Sequence, residues 1–158
     1  MKKIVIIPAR LQSERLPNKP LKLIGDRPMI QWTYQAALNS IADEVYVATD
    51  SEEIKKLVES FNGKAFITSQ DHQTGTDRVF EVASELNLAN EDIVINVQGD
   101  EPFIDPMDID LIFNSFNSSA NNDSNFHSGL NDAMSHDMCT LYSGVDTGKN
   151  INDPNVVK

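Results

Sequence analysis

Three short runs of apolar residues, most of them β-branched, constrain the fold of this chain more than any other feature. They occupy residues 4–7, 45–47 and 93–97. Nearly continuous apolar sequence is typical of a strand buried on both faces, whereas a strand with one face in water alternates. We therefore predict three parallel strands inside one sheet.

The segments around these runs carry apolar residues at helical spacing. Ser51 is the predicted N-cap of one helix, further sets follow Thr76 and residues 102–106, and Pro28 fits the first turn of another helix. The apolar positions are Met29, Trp32 and Ala36; Ile54, Leu57, Val58 and Phe61; Val79, Val82, Ala83 and Leu86; and Ile109, Ile112, Phe113 and Phe116. The alternation predicts an α/β fold, an open, mostly parallel sheet with helices on both faces and ligands at the carboxyl ends of its strands.

The sequence changes character after the last helical set. Residues 114–136 are dominated by Asn, Ser and Asp, which predicts a polar, flexible loop. Residues 138–143 suit a further strand, and residues 146–155 are rich in turn formers. We expect one domain over residues 1–158, because a chain of this size buries about two-thirds of its unfolded surface.

Charge and cysteine content narrow the class of protein. The formal net charge of −11 argues against a nucleic-acid partner, since such binding needs clustered Lys and Arg. Cys139 is the only cysteine, so no intrachain disulfide is possible and a reducing cytoplasm fits best. The apolar run at residues 4–7 is too short for a signal peptide, and no segment is long enough to span a bilayer. We expect a cytoplasmic protein without a membrane partner.

Residues 8–20 follow the first predicted strand and carry cations where a parallel sheet places its ligand. Arg10, Arg15 and Lys19 supply positive charge, and Ser13 supplies a hydroxyl. The segment lacks the glycine patterns of Walker and dinucleotide-binding loops. Arg suits bidentate contact with phosphate oxygens, and Lys acts as a point charge. The segment predicts a triphosphate-binding loop, the alternative being an ordinary solvated basic loop.

Asp100 stands just past the third predicted strand, near the expected triphosphate. A triphosphate carries more negative charge than three cations neutralise, and unit charges about 4 Å apart repel by roughly 4 kcal/mol at an effective dielectric of 20. A divalent cation is therefore expected. A carboxylate at this place suits Mg²⁺ beside phosphate oxygens, and the alternative is a carboxylate that caps a helix or turn.

Several blocks of the chain form a collinear pattern. They are IPAR at 7–10, Ser13, RLP at 15–17, KPL at 19–21, GDRPMI at 25–30, VATD at 47–50, DHQTGTDR at 71–78, NVQGDEP at 96–102, MCTL at 138–141 and NDPNVVK at 152–158. This pattern resembles the 3-deoxy-manno-octulosonate cytidylyltransferases, also called CMP-Kdo synthetases. The first block is typical of sugar nucleotidyltransferases in general. Residues 72–76 together with residues 98–100 indicate a much narrower group of enzymes.

The resemblance implies an enzyme that uses CTP and Mg²⁺ to activate Kdo, an acidic sugar of bacterial lipopolysaccharide, with release of pyrophosphate. It also implies that family members are longer and form homodimers. Their additional part would hold much of the sugar pocket, the dimer contacts and a second metal-binding aspartate. The nucleotidyltransferase domain at residues 1–158 is therefore expected to be incomplete at its C-terminus.

The resemblance also implies roles for individual residues. Nucleotide binding falls to Pro8, Ala9, Arg10, Leu11, Ser13, Arg15, Lys19, Thr74 and Gly75. Asp100 would bind the metal, and Arg10 and Lys19 would share the catalytic work with it. Arg78 and Gln98 are candidates for binding the sugar acid. The alternative for Arg78 is a solvated residue in the first turn of a helix.

Two further side chains near these blocks have more modest expectations. Asp50 either contacts the nucleotide or caps the helix after the second strand. His72 lies in a polar segment, where a histidine is more often solvated than catalytic. We assign neither of them a catalytic role.

Two other functions fit the same residues. One is a cytidylyltransferase for a different acidic sugar, such as an 8-amino analogue of Kdo or a sialic-type acid. The other is a CTP-binding fragment without catalytic activity. The nucleotide is the safer assignment, because the sugar-selecting residues of the family lie largely outside the matching blocks.

Overall fold

The computed structural model describes residues 1–11 and 16–117 of the chain. Its strands are β1 (Lys3–Ala9), β2 (Leu23–Ile24), β3 (Arg27–Pro28), β4 (Glu44–Thr49), β5 (Ala65–Ile67) and β6 (Ile93–Asn96). Its helices are α1 (Met29–Leu38), α2 (Glu52–Ser60), α3 (Gly75–Glu85) and α4 (Pro106–Asn117), with a 3-10 turn at Lys19–Leu21. From β4 onward, strands and helices alternate along the chain.

Four of the described strands form a parallel sheet in the order β5-β4-β1-β6. The chain steps outward from β1 to β4 and β5, then returns to the other side of β1 for β6. Strands β2 and β3 form a separate antiparallel pair before α1. The direction of winding thus reverses between β1 and β6, where open α/β sheets bind their ligands.

Strand β1 is buried on both faces, as its apolar sequence predicts. Val5, Ile7 and Ala9 pack into a core cluster with residues of α1, α2 and α4. Ile4 and Ile6 point to the opposite face and pack with residues of α3. The predicted sheet with helices on both faces is confirmed.

The three predicted strands are confirmed with small changes at their ends, whereas β5 and the β2-β3 hairpin were not predicted. Strand β5 has only three residues, none of them fully buried, and it pairs at the edge of the sheet with β4. A run of three apolar residues is too short to indicate an edge strand from the sequence pattern alone.

Three of the helices follow the predicted pattern, and two of them have adjusted bounds. Ser51 caps α2 as predicted, because its side chain accepts a hydrogen bond from the Ile54 backbone N–H. Helix α3 begins at Gly75 with Thr74 as N-cap, earlier than the predicted start after Thr76. Helix α4 extends through residues 114–117, so the predicted polar loop does not begin at residue 114.

Helix α1 presents a different face to the core from the one predicted. Ile30, Thr33, Tyr34 and Ala37 are buried, whereas the predicted Met29, Trp32 and Ala36 are partly exposed. Trp32 faces the hairpin: its indole N–H donates to the Ile24 carbonyl at 2.9 Å, and Arg27 lies 5.0 Å from its ring centroid. Pro28 precedes the helix as the N-cap residue rather than lying in the first turn.

Other predictions fall outside the described residues. They concern Ser13 and Arg15, most of the loop at 114–136, the strand at 138–143 and the turns at 146–155. Within the described part of the chain, no helix has the length and apolarity needed to cross a membrane.

Replacement of a buried aromatic residue tests this account of the core. Phe113 of α4 is 0% exposed, whereas Phe80 of α3 is 74% exposed. We expect Phe113→Ala to lower the free energy of unfolding by about 3 to 5 kcal/mol, because it removes apolar contacts and leaves a cavity. Phe80→Ala should stay within about 0.5 kcal/mol of the parent. Urea unfolding measures both, and equal losses would show that α4 does not pack as described.

Candidate active site

A cleft of about 830 Å³ opens at the carboxyl ends of β1 and β6. Its volume lies within the range of small-molecule sites. The lining residues are Pro8, Ala9, Arg10, Leu16, Lys19, Pro20, Gln73, Thr74, Gly75, Arg78, Gln98, Gly99 and Asp100. They come from segments far apart in sequence, which the sheet brings together at the reversal point.

The wall after β1 combines a buried backbone with exposed cations. Pro8 and Ala9 are buried at the end of the strand, while Arg10 is exposed at the cleft. The Asn18 backbone N–H donates to the Leu11 carbonyl at 3.1 Å, and Asn18 has a φ of 56°. This turn leads the chain directly into the 3-10 turn that begins at Lys19. The local backbone thus brings Lys19 back to the cleft.

Lys19 and Asp100 form an ion pair across the cleft. The distance between Lys19 Nζ and Asp100 Oδ2 is 2.6 Å, and the side chains are 31% and 50% exposed. Ion pairs with this exposure contribute little to stability. At the start of α4, the Asp105 side chain accepts a hydrogen bond from a backbone N–H. The helix-capping alternative for Asp100 is therefore wrong. Asp100 itself lies in a turn before α4, so the turn alternative and the metal role both stay predictions.

Two glycines allow the walls of the cleft to approach each other. A Cβ atom on Gly99 would lie 2.8 Å from the Pro8 carbonyl oxygen, closer than real Cβ contacts. A Cβ atom on Gly75 would lie 3.1 Å from the Pro8 ring and 3.4 Å from Gln98 Oε1. Both positions are thus constrained by packing inside the protein, in addition to any contact with a ligand.

Helix α3 begins at the cleft with a capping box. The Thr74 hydroxyl accepts from the Asp77 backbone N–H at 3.2 Å, and the Asp77 carboxylate accepts from the Thr74 backbone N–H at 3.0 Å. Hydrogen bonds from the Thr74 hydroxyl and backbone lower the pKa of Asp77. The box fixes Thr74 and Gly75 at the edge of the cleft.

Arg78 is almost fully buried, with 3% exposure, although it also lines the cleft. One guanidinium nitrogen donates to Thr68 Oγ1 at 2.8 Å and to the Ser69 carbonyl at 2.9 Å. The other pairs with the carboxylate of Asp50. The alternative of a solvated Arg78 is therefore wrong. Its contact with a sugar acid stays a prediction.

The structure also corrects the expectations for Asp50 and His72. Asp50 pairs with Arg78 and does not cap α2, because Ser51 does so, and a contact between Asp50 and the nucleotide stays a prediction. His72 is partly buried and its Nε2 pairs with the Glu81 carboxylate, so it is not simply solvated. In both cases the partner lies on α3, and local sequence spacing does not reveal it.

The remaining predicted residues differ in how they relate to the cleft. Gln98 is exposed at the cleft, and its side-chain amide donates to Asn96 Oδ1 at 2.9 Å. Leu11 packs against the core and is not among the cleft-lining residues, so its nucleotide contact stays a prediction. The lining residues not assigned from the sequence are Leu16, Pro20, Gln73 and Gly99. All four lie inside the sequence blocks that carry the family resemblance, and those blocks are the signal that could have identified them.

A metal ion would need ligands besides the protein at this site. In the described ranges, no group of three or more His, Cys, Asp or Glu side chains could hold an ion. Asp100 offers a half-exposed carboxylate in the cleft. Mg²⁺ is commonly held by one or two carboxylates together with substrate phosphates and water. The donor set therefore fits Mg²⁺ only as a partner of a bound phosphate ligand.

Comparison with known proteins agrees with this geometry. A family model described as cytidylyltransferase matches residues 4–158. The chain belongs to the cytidylyltransferase family. It is 43% identical over 98% of its length to the 3-deoxy-manno-octulosonate cytidylyltransferase of Pseudomonas fluorescens, and 40% identical over 98% to that of Vibrio cholerae. The resemblance predicted from the sequence is confirmed.

A solved structure supports the same relationship. It is that of CMP:2-keto-3-deoxy-manno-octonic acid synthetase complexed with CTP, with a TM-score of 0.71 and 43% identity. The match covers 77% of this chain and 49% of that chain. The chain spans about half the length of the curated relatives it matches, since it covers 55% of each of the two described above.

The ion pair between Arg78 and Asp50 can be tested against an exposed pair of the same chemistry. Asp50→Ala should cost about 3 to 5 kcal/mol, because it leaves a buried guanidinium without its counter-charge. The double variant Asp50→Ala/Arg78→Met should recover part of that loss. Asp26→Ala is the control, since Asp26 is 80% exposed beside Arg27. Chemical unfolding measures all three, and similar losses for Asp50→Ala and the control would contradict the pairing.

Proposed function

We propose that this family member is the nucleotide-binding part of an enzyme that transfers CMP from CTP to Kdo with release of pyrophosphate. The observation that carries the proposal is the cleft with its cations and carboxylate, in a chain 43% identical to a synthetase solved with CTP. An acidic chain needs such a local cationic wall to bind a triphosphate.

The phosphates would bind along the wall after β1. Arg10 is exposed at the cleft, and Lys19 reaches it with its ammonium group. Ser13 and Arg15 would add a hydroxyl and a further cation from the same segment. Thr74 and Gly75 would approach the cytidine from the start of α3, where the capping box holds the backbone.

Asp100 would hold Mg²⁺ together with the phosphate oxygens of CTP. When bound, Mg²⁺ would polarise the phosphoryl group and neutralise its developing charge. Lys19 would then exchange its contact with Asp100 for a phosphate oxygen. The chain keeps its charges balanced during this exchange, because each partner of the ion pair acquires an opposite charge from the ligand.

The transfer itself would be an in-line displacement. The anomeric hydroxyl of the sugar would attack the α-phosphorus of CTP and form a new phosphorus–oxygen bond. The bond from the α-phosphorus to the oxygen bridging to the β-phosphate would break, pyrophosphate would leave, and the hydroxyl proton would pass to solvent. Arg10 and Lys19 hold the phosphates in position and stabilise their charge, which is the main contribution a protein makes to such a reaction. Gln98 and Arg78 would receive the sugar acid on the opposite wall.

Two other functions would use the same cleft. A cytidylyltransferase for an 8-amino analogue of Kdo or a sialic-type acid would use the same nucleotide wall. A CTP-binding fragment without activity is the other alternative, since the chain spans about half of its relatives. Pyrophosphate release with each sugar, from this chain and from a full-length relative, distinguishes the three.

The cellular setting follows from the same proposal. Activation of Kdo would supply lipopolysaccharide synthesis in the bacterial cytoplasm, which also suits a chain with a single cysteine. The longer form of the protein would be a homodimer. We propose no nucleic-acid or membrane partner.

Binding of CTP should raise the melting temperature of this chain. A ligand that binds only the folded state at about 100 times its Kd stabilises it by about 2.7 kcal/mol, or roughly 5 to 10 °C for a domain of this size. We expect that shift with CTP and Mg²⁺ but not with GTP and Mg²⁺. Differential scanning fluorimetry measures it, and equal shifts with all four nucleotides would contradict the cytidine assignment.

Asp100→Asn separates a metal ligand from a structural carboxylate. The change keeps the size of the side chain but removes the charge that Mg²⁺ requires. We expect the unliganded melting temperature to stay unchanged, while Mg²⁺ no longer strengthens CTP binding in isothermal titration. Asp26→Asn, at an 80% exposed aspartate, should behave like the parent. A less stable Asp100→Asn variant that retains Mg²⁺-dependent binding would show that Asp100 is structural.

A further inference from the structure

The segment between β5 and α3 carries cleft residues without belonging to a strand or helix. It comprises residues 68–74, here called the β5-α3 loop. Its Gln73 and Thr74 line the cleft. A loop that contributes to a binding site must be held in shape by contacts elsewhere, because ordering its backbone has an entropic cost.

Glu81 of α3 holds this loop at two residues. Its carboxylate accepts a hydrogen bond from the Ser69 backbone N–H at 3.0 Å and also pairs with His72 Nε2. The hydrogen bond from Ser69 and the contact with His72 lower the pKa of Glu81. The carboxylate is thus ionised at neutral pH, and its two partners lie on either side of the loop's central residues.

Arg78, one turn earlier on α3, holds the beginning of the same loop. It donates to Thr68 Oγ1 and to the Ser69 carbonyl, and its pairing with Asp50 attaches it to the end of β4. Ser69 is therefore held through both its backbone groups, by Glu81 at the N–H and by Arg78 at the carbonyl.

The end of the loop is held by the capping box of Thr74 and Asp77. Gln73 lies between His72 and Thr74, which are both held by α3, and its own amide donates to the Asp71 carbonyl at 2.8 Å. Gln73 therefore lies between two residues that are held by contacts with α3. Glu81 itself is not a cleft-lining residue.

We propose that Glu81 is a positioning residue, which holds the β5-α3 loop in the shape that receives the nucleoside end of CTP. The identity of the ligand in this assignment rests on the proposed function. The positioning of the loop rests on the contacts of Glu81. Glu81 acts through Ser69 and His72 and does not touch the substrate. The phosphate end of the ligand would bind at Arg10 and Lys19, and neither of these is a hydrogen-bond partner of Glu81.

Glu81 is only partly buried, so its effect on the loop can be distinguished from an effect on the stability of the whole domain. Its side chain is 30% exposed, and its contacts are with the loop rather than with the core clusters. Removing it should leave the melting temperature of the unliganded chain within a few degrees of the parent, because the core is untouched. It should increase local opening of the loop, since loops generally open at a lower free energy than core strands and helices.

Hydrogen exchange tests the action of Glu81 without any ligand. In Glu81→Ala, we expect the backbone amide of Ser69 and its neighbours in the loop to exchange about tenfold faster, since a charge-assisted hydrogen bond is lost. The matched control is Glu85→Ala, which removes an exposed glutamate one turn later on α3. Unchanged exchange in Glu81→Ala, or an equal increase in both variants, overturns the proposal.

Binding of two ligands tests the purpose of the loop. CTP should bind about tenfold more weakly to Glu81→Ala, whereas inorganic tripolyphosphate should bind as it does to the parent. Glu81→Gln should recover part of the CTP affinity, because its amide oxygen can still accept the Ser69 N–H. Equal weakening for both ligands, or none for CTP, overturns the role. If the parent itself does not bind CTP, the proposed function and the nucleoside assignment fail together, and the exchange result still decides whether Glu81 positions the loop.

Discussion

Burial of β1 on both faces is the constraint on which the rest of this structure depends. Its side chains alternate between two core clusters, so helices must cover the sheet from both sides. Each fully buried Val or Ile side chain contributes about 1.5 to 3 kcal/mol relative to exposure. Because β1 pairs with β4 on one side and β6 on the other, its end also lies at the reversal point of the sheet. The same strand thus stabilises the core and places the cleft.

The cleft brings several cationic side chains together in an acidic chain. Its positive charge is concentrated on one short segment after β1, where the backbone turn at Asn18 returns Lys19 to the end of the strand. The opposite wall is held by a second set of charges on α3, which are paired within the protein. One wall therefore presents an exposed Arg10 and a Lys19 that pairs with Asp100, and the other uses charge to hold its own backbone.

The sequence predicted the parts of the structure that depend on local pattern. The apolar runs gave the central strands, the spacing of apolar residues gave three helices, and position after a strand placed Arg10, Lys19 and Asp100 in one cleft. Features that depend on tertiary contacts were predicted wrongly or were not predicted. The face of α1 follows from Trp32 packing on the hairpin, and the burial of Arg78 follows from an aspartate 28 residues away. Neither partner can be chosen from local spacing, because many carbonyls and carboxylates in the chain would satisfy the same donor.

The ion pair between Lys19 and Asp100 has a consequence for which ligands the cleft can admit. Since the two groups lie 2.6 Å apart, any ligand that engages one of them acts on the other as well. A lone anion that attracts the ammonium group is repelled by the carboxylate. A lone cation that attracts the carboxylate is repelled by the ammonium group. A ligand carrying both signs of charge at this spacing satisfies both groups at once. Under the proposed function, the pair would therefore favour a complete metal–phosphate complex over the metal ion or the phosphate alone.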